Sequence, residues 1–467
     1  MSRPVSRRVL LGAGVATGLG VVAAGTIGTL FNGRETGTGG GAGARGRLTT
    51  GYGPLVPDPE GRLALPEGFR YRVLAEQGVT RLESGEPSPS DPDGAAAFPR
   101  PDGAGSILVC NHEIGSDEPH PVPHVKGLVY DPSARGGTTT MEIAPDGSLL
   151  RQYVSLAGTV DNCAGGRTPW DTWLSCEETE QVLQLPHGYV FEVDPFDPAA
   201  NRDPRPIKAL GRFAHEAVVV DPEEHVLYLT EDAREPNGLL YRYTPPPDAL
   251  PLGKGSLRAL ADDAGSLAAL RASTSSGRHV RDLSEASEIG TTYRIDWVEV
   301  PERDGRADPV RRQFDDQEVT RGRKLEGAWW GDGGAYVVTS YARATDGGGA
   351  HAGQVWFLDP GAGTLTLHLR FAPTNKANTS PDSPDNITVS PYGGVLIAED
   401  GNRDVRPHLL GATPEGDVFY LAQSGEKGLG SEFCGPVFSP DDRMLFLNQQ
   451  GPGTTFVVQG PFRRLTR

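Results

Sequence analysis

Asp161-Asn-Cys-Ala-Gly-Gly-Arg-Thr-Pro-Trp-Asp-Thr-Trp-Leu-Ser-Cys-Glu-Glu178 reads as a strand entry, a tight Gly/Pro turn and a second short strand ending on paired carboxylates. Closing this hairpin brings its ends together, so Cys163 and the Glu177-Glu178 pair converge on one rim. A thiolate beside oxygen donors suits a transition metal next to a hard cation. A structural hairpin with a buried cysteine and a solvated acidic turn has the same local sequence. Recurrence of the layout along the chain separates the two readings and decides the fold.

The plan of strand, Gly/Pro/Asp turn, strand and polar or acidic end returns over residues 98–113, 213–232, 326–343, 384–400 and 432–450. The second strands end near residues 113, 178, 231, 340, 399 and 448, at spacings of 65, 53, 109, 59 and 49. The long gap holds a Pro-rich turn (245–247) and a helix-like stretch, Ser256 to Arg271, rich in Ala and Leu. It reads as an insertion after a third repeat, with a divergent extra repeat as the alternative. Strand patterns at 187–194 and 353–359 supply outer strands. Repeats of ~40–70 residues with four strands each predict an all-β fold, a six-bladed β-propeller with a partly helical insertion around residues 250–320. Radial closure protects sheet edges.

The chain opens with Arg7-Arg8 and an uncharged run to about Phe31, then a Gly-rich polar linker to Arg45. That is a Tat-type export signal, with an uncleaved anchor as the competing reading. Residues 1–45 are therefore signal peptide and linker, and residues 46–467 a single β-propeller catalytic domain. The expected destination is periplasmic or extracellular, with the Tat export machinery as a partner, no stable membrane span after cleavage, and a monomer. Tat-type signals imply export in the folded state, often with a cofactor already loaded.

The full chain carries a net charge of −17; residues 1–45 hold five arginines and Glu35, so the remainder carries about −21. This acidity excludes nucleic acid as a recognition target, because phosphate contacts need Lys and Arg. It suits bound cations. Of the four cysteines, Cys110 and Cys176 lie in apolar strand patterns and read as buried small hydrophobes; Cys434 reads as buried and inert.

Equivalent positions of propeller repeats face one channel. Alignment of the repeats puts Cys163, Glu216, Glu326, Asn386 and Cys434 at the strand entry, and Glu113, Glu177/Glu178, Glu231/Asp232, Ser340, Glu399/Asp400 and Asn448 at the exit. Like charges around one axis are costly unless cations neutralise them. Carboxylates suit Ca²⁺, and a thiolate among them suits iron or zinc. Lys324, Arg343 and Arg403 stand near the rim as candidate clamps for a phosphate oxygen. His112 and His215 sit beside rim acids as ligands or as hydrogen-bonding supports. No GxSxG elbow, Walker-type loop or HExxH is present.

The segment 162–178 resembles the most recognisable stretch of the PhoX-type alkaline phosphatases. The export signal, Asn111-His-Glu113, His215-Glu216, Glu231-Asp232 and the block from Asp385-Asn386 to Glu399-Asp400-Gly401 fit the same family, from about residue 50 to the C-terminus. The resemblance implies a six-bladed propeller whose channel holds Fe³⁺ and Ca²⁺ and hydrolyses phosphomonoesters outside the cytoplasm. It implies an iron-bound thiolate at Cys163 and a carboxylate shell of Glu177, Glu178, Glu216, Glu231, Asp232, Glu326, Asp385, Glu399 and Asp400. Glu113 and Asn386 complete the expected metal ligands, and Arg343, Arg403 and Lys324 are the expected catalytic residues. The substrate is then a small phosphate ester, attacked in line at a cation-neutralised phosphate. Two other classes fit the residues: a calcium-dependent propeller lactonase or phosphotriesterase, and a non-catalytic exported binding module.

Overall fold

The structure is a computed structural model describing residues 47–340, 352–371, 381–401 and 405–465. These residues lie in one compact unit, Arg45–Arg467. They form an all-β, propeller-like array; the helical segments among them are 3₁₀ turns of three or four residues.

Five sheets carry the array. Two have four strands, one has three, one has six, and one has ten, nine in a continuous path and a short tenth, His279–Val280, paired beside it. Six antiparallel strand pairs supply the axial strands. The first strands are Pro92–Pro99, Asn162–Arg167, His215–Val220, Leu325–Gly331, Pro384–Val389 and Phe433–Phe438. Each touches the next, and the last touches the first, so they close a circuit. Small residues let them approach. A Cβ on Gly94 would sit 2.6 Å from the Ala164 Cα, and one on Gly327 2.8 Å from the Asn386 Cα.

The outer edge of the last sheet joins distant parts of the chain. The strand Thr454–Gln459 pairs with Arg70–Glu76, so an N-terminal strand completes the C-terminal sheet. Phe456 and Leu74 pack from these strands into the cores on either side. Asn448, read from sequence as a rim residue, instead donates to the backbone oxygen of Asp93 and bonds the Cys110 thiol, tying the last sheet to the first.

The helix-like stretch from Ser256 to Arg271 is a 3₁₀ turn, Leu257–Ala259, followed by a strand, Ser266–Ser273. Gly265, at φ +66°, ends any helical run. Leu267-Ala-Ala-Leu270 is buried without interruption because its two faces pack into different cores, Leu267 and Ala269 into one and Leu270 into the other. An apolar run of that length fits a doubly covered strand as well as a helix. Thr292–Glu299 then pairs with Thr364–Arg370, which is why two strand sets merge into the ten-stranded sheet. Among the described residues no helix is long and apolar enough to cross a membrane.

Candidate metal centre

Each axial pair carries the same irregularity. Pairing runs Pro92↔His112 then Ala95↔Cys110, and Asn162↔Glu177 then Gly165↔Ser175. It runs His215↔Glu231 then Val218↔Leu229, and Leu325↔Thr339 then Ala328↔Val337. It runs Pro384↔Glu399 then Ile387↔Ile397, and Cys434↔Asn448 then Val437↔Phe446. Every first strand thus holds one extra residue, a β-bulge, which re-aims a side chain. In the first five pairs the residue entering the bulge is Asp93, Cys163, Glu216, Glu326 and Asp385. In the sixth the pairing runs one residue further, through Cys434, yet its Sγ lies 3.2 Å from the Pro92 carbonyl, as that of Cys163 lies 3.2 Å from the His215 carbonyl.

The bulged side chains gather into three groups, in each of which the donor atoms lie within 4.8 Å of one another. Cys163, Glu178 and Glu216 form the first; Glu216, Glu326 and Asp385 the second; Asp93, Glu113 and Glu432 the third. Glu216 is shared, so the first two groups are contiguous. The donor chemistry fits the cations expected: a thiol with carboxylates for a transition metal, oxygen-only sets for a hard cation. Carboxylates this close and this buried repel one another strongly unless a cation lies among them. Burial, then Glu216 and Glu178, pushes the Cys163 thiol well above its ordinary range. Only a cation in contact would make that sulfur a thiolate. The four cysteines are free thiols, and Cys163 and Cys434 are the two placed at the axis.

The paired acids divide by strand alternation, since adjacent residues point to opposite faces. Glu178 faces the axis; Glu177, its neighbour, accepts from the backbone N–H groups of Val160 (3.0 Å), Gly188 (2.9 Å) and Tyr189 (3.2 Å) and pairs with His187 at 2.6 Å. Glu231 accepts from Leu239 N–H (3.2 Å), the Tyr241 hydroxyl (2.7 Å) and Arg311 (3.0 Å). Glu399 accepts from the N–H groups of Asp382 (3.1 Å) and His408 (2.8 Å) and pairs with the His408 ring at 2.8 Å. These three, expected as ligands, lie outside the converging groups and instead pin each pair to the third strand of its sheet. Asn386, also expected as a ligand, accepts from Gly435 N–H at 2.7 Å and so braces one axial strand to the next.

Lys324 is buried in the left-handed region at φ +48°. Its Nζ lies 2.7 Å from Glu326, 3.7 Å from Asp400 and 3.8 Å from Asp232. It therefore supplies the positive charge beside the second group, and it brings Asp232 and Asp400 to that side of the axis. Arg343 and Arg403 lie outside the described residues. His112 is held by the Ser90 carbonyl (2.8 Å) and Thr139 (2.9 Å), and burial lowers its pKa to about 4. His215 bonds the Gly211 carbonyl at 3.1 Å, stacks on Phe213, and is lowered to about 3 by burial. Both are neutral supports.

Sequence reading missed Asp93 and Glu432. Asp93 stands one residue after Pro92, the place Cys163 takes after Asn162, a register that only the strand pairing reveals. At the exit of the last pair the ring residue is Gln450, whose amide contacts Glu113 and lies 3.2 Å from Asp93.

A family model described as alkaline phosphatase PhoX matches residues 50–453. No curated protein matches. Among solved structures, Pseudomonas fluorescens PhoX in complex with vanadate, a transition-state analogue, aligns with TM-score 0.65 at 18% identity, covering 87% of this chain and 97% of that one. A gluconolactonase from Xanthomonas campestris aligns with TM-score 0.43 at 13% identity, covering 88% and 98%.

Proposed function

The chain belongs to the PhoX family of alkaline phosphatases, phosphoric monoester hydrolases, and from that premise we propose that it cleaves small phosphate monoesters at a mixed iron and calcium centre on the propeller axis. The observation that carries this reading is the sharing of Glu216 between a thiol-containing group and an all-carboxylate group. Cys163, Glu178 and Glu216 are assigned to the iron side. Glu216, Glu326 and Asp385 continue it, and Asp93, Glu113 and Glu432 are assigned to calcium. Bound cations would supply Lewis acidity toward the phosphate and the attacking water.

The protein's own part is positioning and charge. The bulges hold the donors without rearrangement, which is the preorganisation that stabilises developing charge most effectively. Lys324, fixed by Glu326, adds a cation on the Asp232 and Asp400 side, where a phosphoryl oxygen would gain charge. Arg343 and Arg403 are proposed as further clamps on sequence grounds. The closed circuit of axial strands supports a six-bladed reading, with residues 46–467 as one catalytic domain. Arg7-Arg8 and the uncharged run after it support Tat export to the periplasm or exterior.

Hydrolysis of p-nitrophenyl phosphate by the full chain, with and without a calcium chelator, tests the reading. Turnover that chelation abolishes and added calcium restores supports it. Turnover of a lactone or phosphotriester in its place, or of no ester, removes it.

A further inference from the structure

The segment between the third and fourth axial pairs does more than fill a gap. Its 3₁₀ turn Val310–Gln313 carries Arg311, which is buried. One nitrogen of Arg311, Nη1, donates to Glu180 at 2.8 Å and to Glu231 at 3.0 Å. Glu231 ends the strand Leu227–Glu231, whereas Glu180 lies in the loop after the strand Trp173–Glu177 of another sheet. Glu180 follows Glu178 by two residues. Glu231 is paired across its strands with His215, the residue before Glu216. Arg311 therefore spans the two elements that bring Glu178 and Glu216 to Cys163, although it touches none of the three.

We propose that Arg311 is a positioning residue, and that its bridge between Glu180 and Glu231 sets the separation of Glu178 and Glu216 and hence the cation affinity of the Cys163 group. This rests on the metal-centre reading above. Both arms are anchored by other contacts, so the bridge is a distance constraint and not the sole support of either acid. The Tyr241 hydroxyl holds Glu231 at 2.7 Å. Arg212 holds the Glu180 backbone oxygen at 2.6 Å. The Glu180 side chain is 26% exposed, so it can be removed without opening the core. The Glu231 carboxylate cannot, because it is fully buried. Groups that orient metal ligands from one contact away commonly change affinity by about 10- to 100-fold.

The test is metal binding by equilibrium dialysis, with Fe³⁺ and Ca²⁺ as probes, on the full-length wild type, Glu180→Ala and Arg311→Lys, beside the melting temperature of each metal-free protein. The expected result is about tenfold weaker binding at the thiol-containing site in Glu180→Ala at an unchanged metal-free melting temperature. Arg311→Lys should weaken it in the same direction, and the double variant no further than Arg311→Lys alone. Unchanged affinity in Glu180→Ala overturns the inference, whether or not its melting temperature falls. A wild type that binds neither metal overturns the metal-centre reading itself, and the inference with it.

Discussion

Glu177 and Glu178 are chemically identical neighbours with opposite tasks, and substitution separates them. Glu177→Gln breaks the buried pair with His187 and leaves His187 facing Asp131 alone. Loss of one partner of a buried pair costs about 3–5 kcal/mol, so the variant should melt markedly lower while any molecules that fold keep their metal. Glu178→Gln should leave the metal-free melting temperature nearly unchanged and lose metal and turnover together. Differential scanning calorimetry beside elemental analysis checks both; loss of metal in both variants without destabilisation would contradict the division. The same network gives a pH dependence. Burial opposes the His187 imidazolium, but Glu177 and Asp131 outweigh it and raise the pKa. That contribution is complete below the ordinary histidine value and fades as pH rises through the raised one. Burial likewise opposes the Asp131 carboxylate, but Ser133, Leu185 N–H and His187 outweigh it and hold the pKa at about 2. That contribution is complete above the ordinary aspartate value and is lost as pH falls toward about 2. The melting-temperature gap between wild type and His187→Gln should thus be widest near about pH 5 and narrow toward alkaline pH.

The bulge is the element that makes the site. Because it recurs in each axial pair, it turns a repeated strand plan into a ring of inward side chains. Gly94→Ala tests how tightly the ring is set: the added Cβ would meet the Ala164 Cα at 2.6 Å and the Cys163 carbonyl oxygen at 2.8 Å, both backbone. Overpacking there should cost about 1–3 kcal/mol and shift Cys163 enough to lower iron occupancy. Retention of full iron at wild-type stability would show the ring to be looser than described. The repeat plan is readable because turns and acidic strand ends are local features, and Cys163, Glu178, Glu216 and Glu326, read from it, lie in the converging groups. What was not readable was parity. Whether Glu231 or Asp232 faces the axis depends on a one-residue register that only the strand pairing fixes. The same slip hid Asp93 and misplaced Asn448 for Gln450. The run after Ser256 misled for a different reason: burial on both faces erases the alternation that marks a strand.

At the scale of the molecule, closure depends on residues far apart in sequence. Arg70–Glu76 completes the sheet that begins at Phe433, so that sheet has its outer strand only when the N-terminal strand is in place. Deleting residues 47–76 should leave Thr454–Gln459 as an open edge, abolish cooperative unfolding and expose the C-terminal sheet to protease. Cooperative melting of the truncated chain would show that closure is not required. Closure also explains how so many acids are kept together, because a ring cannot splay to relieve their repulsion and a cation must do it instead. The metal content of the purified full chain beside that of Cys163→Ala tests whether cations hold this ring together. Iron and calcium are expected together in the wild type, with iron and phosphatase turnover both gone from Cys163→Ala. Full iron and full turnover in that variant, or a phosphatase-active wild type holding neither metal, would contradict that expectation.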